Sequence, residues 1–152
     1  MGCKATTGEI MMPPAVLPGK YTVLDAARVM TYYNTGHIIV TDSEGRPLGV
    51  LDSHSIVRVI AEGGEEALRA PVASVVDPMV AVVGRETCAD NAILAAVRQN
   101  VRYAVVLDEQ SRIVGIVDVG SIAWKTLQEQ VSARPRLPHR KAHMRLPRPH
   151  PN

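Results

Sequence analysis

The chain has 152 residues, 46% apolar and 21% charged, with a formal net charge of +2. That apolar share supports a buried core and excludes a disordered chain, and the length allows one domain or two very small ones. Aromatics are only 3% and Phe is missing, so the core must be built from Val, Ile, Leu and Ala.

No apolar run approaches the roughly 20 residues of a membrane span. Met1 to Glu9 is polar and Met11-Met12 run into Pro13-Pro14, unlike a secretory leader. Cys3 and Cys88 lack CxxC spacing and exclude a cysteine-rich zinc site. They are expected as reduced thiols of a cytoplasmic protein, Cys88 as a small buried residue. Charge is unevenly spread. Residues 133–152 carry six bases, five prolines and no acid, which leaves residues 1–132 with 11 bases against 15 acids, a net of −4. Prolines at that density oppose a helix, so a disordered basic Pro-rich tail is expected.

In chain order, Ala15-Val16-Leu17 predicts a short strand. Thr22 opens a helix with Asp25 as its capping-box partner, and Val23, Ala26, Ala27 and Met30 share one helical face. His37-Ile38-Ile39-Val40 suits a buried strand, Asp42-Ser43-Glu44-Gly45 a turn, and Leu48 to Leu51 the return strand. A last helix runs from about Ser53 to Glu62, and Gly63-Gly64 with Pro71 punctuate the link between copies. The pattern then repeats at a gapless offset of 66 residues. Asn34 falls on Asn100, Asp42 on Asp108, Arg46 on Arg112, Gly49 on Gly115, Asp52 on Asp118 and Ser55 on Ser121. The second copy reads as a strand at Ala81-Val82-Val83, a helix with Ala89, Ala92, Ile93 and Ala96 on one face, strands at Tyr103–Leu107 and Ile113–Val117, and a helix from Val119 to about Glu129. A unit of about 60 residues buries too little surface to be secure alone, so two copies must pair through their sheets.

Asn34 to Asp42 with Gly49-Val50-Leu51, and Asn100 to Asp108 with Gly115-Ile116-Val117, resemble the CBS domain in tandem, a Bateman module. The lead-in segments Glu9-Ile10-Met11-Met12 and Ser74 to Met79 belong to the same likeness. The resemblance implies an α+β fold: two tandem β-α-β-β-α repeats packed sheet to sheet with pseudo-twofold symmetry. Expected boundaries are an extension over 1–6, repeats over 7–62 and 73–130, a linker over 63–72 and the tail over 131–152. It also implies a regulatory module, commonly a homodimer, that senses an adenine nucleotide or related effector (AMP, ATP, NAD, S-adenosylmethionine) and modulates a partner protein.

Relatives with such ligands end the third strand in Thr with an Asp three residues later, for phosphate and for the ribose hydroxyls. Here the Thr position holds Asp52 and Asp118, and the Asp position Ser55 and Ser121. A carboxylate repels phosphate, and serine lacks the charge that strengthens a diol contact. Both aspartates also suit the N-cap of the following helix. An adenosine-like ligand with few phosphates is therefore expected. Candidate ligand contacts are Ala15, Val16, His37, Ile39, Asp52 and Ser55, and Ala81, Val82, Tyr103, Val105, Asp118 and Ser121 in the second copy. No nucleophile, base and orienter assemble, so neither catalytic nor metal-binding residues are assigned. The alternative is an interaction module with empty clefts, dimerising through its helices and tethered by the tail to a nucleic acid or another anionic surface. Trp124 is expected to pack against a partner module.

Overall fold

The computed structural model describes residues 2–78 and 80–132. The first half holds α1 (Thr7–Ile10), β1 (Val16–Pro18), α2 (Val23–Tyr33), β2 (His37–Thr41), β3 (Pro47–Asp52) and α3 (Ser53–Gly63). A 3-10 helix over Gly64–Arg69 leads to α4 (Val72–Val75), β4 (Ala81–Gly84), α5 (Ala89–Arg98), β5 (Tyr103–Leu107), β6 (Ile113–Asp118) and α6 (Val119–Ser132). Val131 and Ser132, where the tail was expected to begin, still belong to α6, while residues 133–152 and the Trp124 side chain lie outside the described residues.

Local chemistry explains most of these elements. Thr22 accepts the Asp25 N–H at 3.2 Å and Asp25 accepts the Thr22 N–H at 3.0 Å, a reciprocal cap at the start of α2. Asn34 and Asn100 follow α2 and α5 in the left-handed region, with φ of 51° and 55°, a conformation that Asn tolerates. At the hairpin turns, Asp42 accepts the N–H groups of Glu44 and Arg46, and Asp108 those of Gln110 and Arg112, all at 2.9 Å. The turns end in positive φ, at Gly45 in the first copy and Ser111 in the second.

Each copy forms a three-stranded sheet, in order β1-β2-β3 and β4-β5-β6. The outer pairs β1·β2 and β4·β5 are parallel, the hairpins antiparallel, and a bulge falls at Val40/Thr41 and again at Val106/Leu107. Alternation along β2 and β5 explains their unbroken apolar runs. Ile38 and Val40 face the helices of the first copy, and Ala104 and Val106 those of the second. Ile39 and Val105 point the other way and, with Ile116, form a dry seam between the sheets. Both faces are buried, so neither strand has a polar side.

The lead-in segments exchange places. α4 belongs to the first half's core, where Val72 and Val76 pack with Val23, Ile38 and Leu51. Ile10 and Met11 pack instead in the second core, and Met12 bridges to Ile116. Gly49 lies under the Asp77 carbonyl and Gly115 under the Met11 side chain, so the crossing obeys the offset of 66 residues. The sequence showed the segments but not that each one crosses.

The reading of both cysteines as free thiols is corrected. Cys3 and Cys88 are joined in a disulfide across 85 residues. Cys88 is half-buried rather than buried. Spacing carried no hint of this pair, because the crossing of the N-terminal segment brings them together.

Candidate functional site

Two clefts meet at the seam, and His37 and Met12 line both. The first, of about 470 Å³, is largely apolar and is walled by Met12, Pro13, Pro14, Ala15, Val16, Val29, Tyr33, Thr35 and His37. The second, of about 300 Å³, is polar and gathers Gly36, Asp52, Ser53, His54, Arg102, Tyr103, Asp118 and Ser121 around the same His37.

The polar cleft is organised by the two aspartates. Asp52 caps α3, accepting the Ser55 N–H at 2.8 Å, while its other oxygen accepts the Tyr103 hydroxyl of the opposite copy at 3.2 Å. Asp118 accepts the Ser121 N–H at 3.2 Å and hydroxyl at 2.7 Å, and pairs with Arg102 Nε at 3.1 Å. The Arg102 guanidinium also sits 5.5 Å from the Tyr103 ring centre. Burial alone would raise the Asp52 carboxyl. Bonds from Ser55 and Tyr103 and the nearby Arg102 outweigh it and hold Asp52 below its ordinary value. Burial opposes Asp118 in the same way, and Ser121 and Arg102 again prevail. Burial and the Asp52 charge push the Tyr103 phenol upward, so it stays a neutral donor.

Copy symmetry breaks at this point. His37 and Tyr103 are counterparts, and their rings meet edge to face at 5.4 Å. Tyr103 reaches across to Asp52, whereas Arg102 takes Asp118 on the other side. The counterpart of Arg102 is Gly36, which brings no side chain. Nδ1 of His37 is left buried without a hydrogen-bond partner among the described residues. A buried polar atom left unsatisfied costs about 1–3 kcal/mol.

Both depressed carboxyl values act on stability with the same sign. A carboxylate whose folded value lies below the unfolded one adds stability above the unfolded value, and this is lost as pH falls through the folded value. The urea midpoint should therefore hold level from pH 7 to 5 and fall below about pH 4. Asp118→Asn should cost about 1 kcal/mol at pH 7 and lessen that fall, because Arg102 loses its charged partner. A variant that kept the wild-type acid response would assign the effect elsewhere.

Of the residues singled out from sequence, Ala15, Val16 and His37 line the apolar cleft, and His37, Asp52, Tyr103, Asp118 and Ser121 the polar one. Ile39 and Val105 lie fully buried in the seam core and Ala81 in the second copy's core, rather than on these walls. Val82 is exposed, and Ser55 contributes its N–H to Asp52. Sequence reasoning missed Met12, Pro13, Pro14, Thr35 and Arg102. A charge beside the start of a buried strand was the one usable signal for Arg102. Among the described residues no three His, Cys, Asp or Glu side chains come together for a metal ion, and no helix is long and apolar enough to cross a membrane.

Residues 8–62 match the family model of the CBS domain. Over that stretch the first copy is similar to the CBS domain. Both copies share the fold of solved CBS pairs. The CBS domain protein PAE2072 from Pyrobaculum aerophilum, complexed with AMP, is 22% identical, with a TM-score of 0.67 over 85% of this chain and 100% of that one. The CBS domain pair of protein MJ0100, in complex with 5′-methylthioadenosine and S-adenosyl-L-methionine, is 19% identical, with a TM-score of 0.65 over 82% of this chain and 98% of that one. Among curated proteins, L-aspartate semialdehyde sulfurtransferase of Methanocaldococcus jannaschii is 21% identical over 105 residues, 69% of this chain. This chain spans only 20% of that enzyme's length.

Proposed function

We propose that this protein is a regulatory module that takes an adenosine-type small molecule at the seam clefts and passes its occupancy to a partner protein. The observation that carries the reading is the meeting at His37 of an apolar cleft with a polar one lined by Asp52, Tyr103, Asp118 and Ser121. An adenosine has the matching halves: a flat base for the apolar walls and hydroxyls for the polar end. β1 is an edge strand, and the Ala15 carbonyl already accepts the Ile39 N–H at 2.7 Å. Alternation therefore turns the N–H and C=O of Val16 toward the open edge, where they suit the polar rim of a base. The AMP and S-adenosylmethionine complexes of the solved CBS pairs support the ligand class.

Electrostatics select within that class. Asp52 and Asp118 are ionised at neutral pH, and Arg102 is already paired, so each added phosphate meets uncompensated negative charge. Calorimetric titration with adenosine, S-adenosylmethionine, AMP, NAD and ATP should give binding by the first two and affinity at least about tenfold weaker for ATP. Absence of heat and of thermal shift with all five would remove the reading.

An interaction module with empty clefts is the second reading. It draws on the outer face of α3, where Val57 is 64% and Ile60 38% exposed. A homodimer covering that face suits either reading, and native mass spectrometry would show twice the 16.4 kDa of one chain.

A further inference from the structure

We infer that Cys3 and Cys88 form a thiol–disulfide exchange site that fastens or frees the strap forming one wall of the apolar cleft. The strap is the segment from Cys3 to Val16. Beside the disulfide it is zipped to the second copy by main-chain bonds. Thr7 N–H donates to Thr87 O at 2.7 Å, Gly8 N–H to Arg85 O at 2.9 Å, and Ala89 N–H to Ala5 O at 2.9 Å. The Thr7 hydroxyl adds a second bond to Thr87 O at 2.7 Å. Its far end pairs Met12 with Ile116 and then turns into Pro13, Pro14, Ala15 and Val16, the wall of the first cleft.

Two features suit the pair to exchange rather than to permanent structure. Cys3 is exposed, so an external thiolate has access to its sulfur. Cys88 stands at the N-cap of α5, where the first copy has the capping Thr22, and its side chain makes no capping bond. A thiolate released there is stabilised by the helix N-terminus, which makes Cys88 the better leaving group. The step balances with a dithiol reductant. One thiolate of the dithiol attacks Cys3 Sγ, Cys88 leaves as thiolate, and the second thiol of the reductant displaces Cys3 and closes its own disulfide. Two electrons pass from the dithiol to the Cys3–Cys88 bond, and the two protons that the dithiol gives up end on the freed cysteines. Reoxidation reverses the steps with a disulfide as electron acceptor.

The effect on the cleft rests on reading it as a ligand site, whereas the strap's release does not. The test therefore measures the strap without ligand. The full chain, purified without reductant, is alkylated before and after dithiothreitol and followed by hydrogen exchange. Alkylation should label no cysteine before reduction and both afterwards, and amide exchange at Thr7, Gly8 and Met12 should accelerate about tenfold on reduction. Cys3→Ser and Cys88→Thr should exchange at the reduced rate with or without dithiothreitol, Cys88→Thr with α5 still capped. Cysteines that alkylate before reduction, or a strap that exchanges alike in both states, overturn the proposal. Adenosine affinity in the two redox states is then a separate measurement, and its silence bears on the ligand reading alone.

Discussion

Gly49→Ala is expected to destabilise the fold by about 3 kcal/mol, and Gly115→Ala by about 1 kcal/mol, although the two positions are counterparts. The difference lies in what covers each glycine. A methyl group on Gly49 runs into the Asp77 main-chain carbonyl, with Val76 Cγ2 at 3.0 Å behind it. That carbonyl belongs to a segment held by the Val76 N–H bond to Val72 O at 3.0 Å, and both valines are buried in the first core. Room is made only by lifting the lead-in segment off the sheet. On Gly115 the methyl meets Met11, whose Cγ and Sδ can rotate aside, so that only its Cβ, at 2.9 Å, has to give by a few tenths of an ångström. Urea denaturation of both variants measures the contrast. Equal losses would mean that the exchanged segments are not held as rigidly as their packing implies.

Asp52→Thr combined with Ser55→Asp is expected to raise AMP affinity about 100-fold, provided that the cleft is an adenosine site. The exchange removes a carboxylate from the phosphate end and supplies one for the ribose hydroxyls, each change being worth about 1–2 kcal/mol. Folding should survive, because Thr followed three residues later by Asp is the capping box that already opens α2 at Thr22 and Asp25. Tyr103 loses its Asp52 acceptor and can turn to the incoming ligand. Calorimetry with AMP, alongside adenosine as the reference, reads the gain. A variant that folds, keeps adenosine binding and gains nothing for AMP would show that the Asp52 charge does not set the phosphate preference.

How far the site was legible varied with how local its causes are. The caps at Thr22, Asp52 and Asp118 and the turns at Asp42 and Asp108 involve partners within four residues, and each was readable as written. His37 and Tyr103 were identified as counterparts at a cleft, but not that their rings meet, nor that only Tyr103 finds an acceptor. Pro13-Pro14 served in the sequence only to argue against a leader, and in the fold they are cleft wall. Arg102 went unnoticed because its copy-mate is Gly36, so the comparison of repeats had nothing to match. The same comparison hid Cys88, which took the place of a capping Thr and read as a small apolar substitute.

Residue patterns alone settled the duplication, the order of the three strands and two longer helices in each copy, and the burial of β2 and β5. Those follow from side-chain period and capping chemistry, which act over a few neighbouring positions. Packing in three dimensions settled the exchange of lead-in segments, the Cys3–Cys88 link and the lopsided pairing of Asp52 with Tyr103 and Asp118 with Arg102. Such contacts depend on which surfaces meet once both sheets have closed on each other, and on positions where the copies differ, Gly36 against Arg102 and His37 against Tyr103.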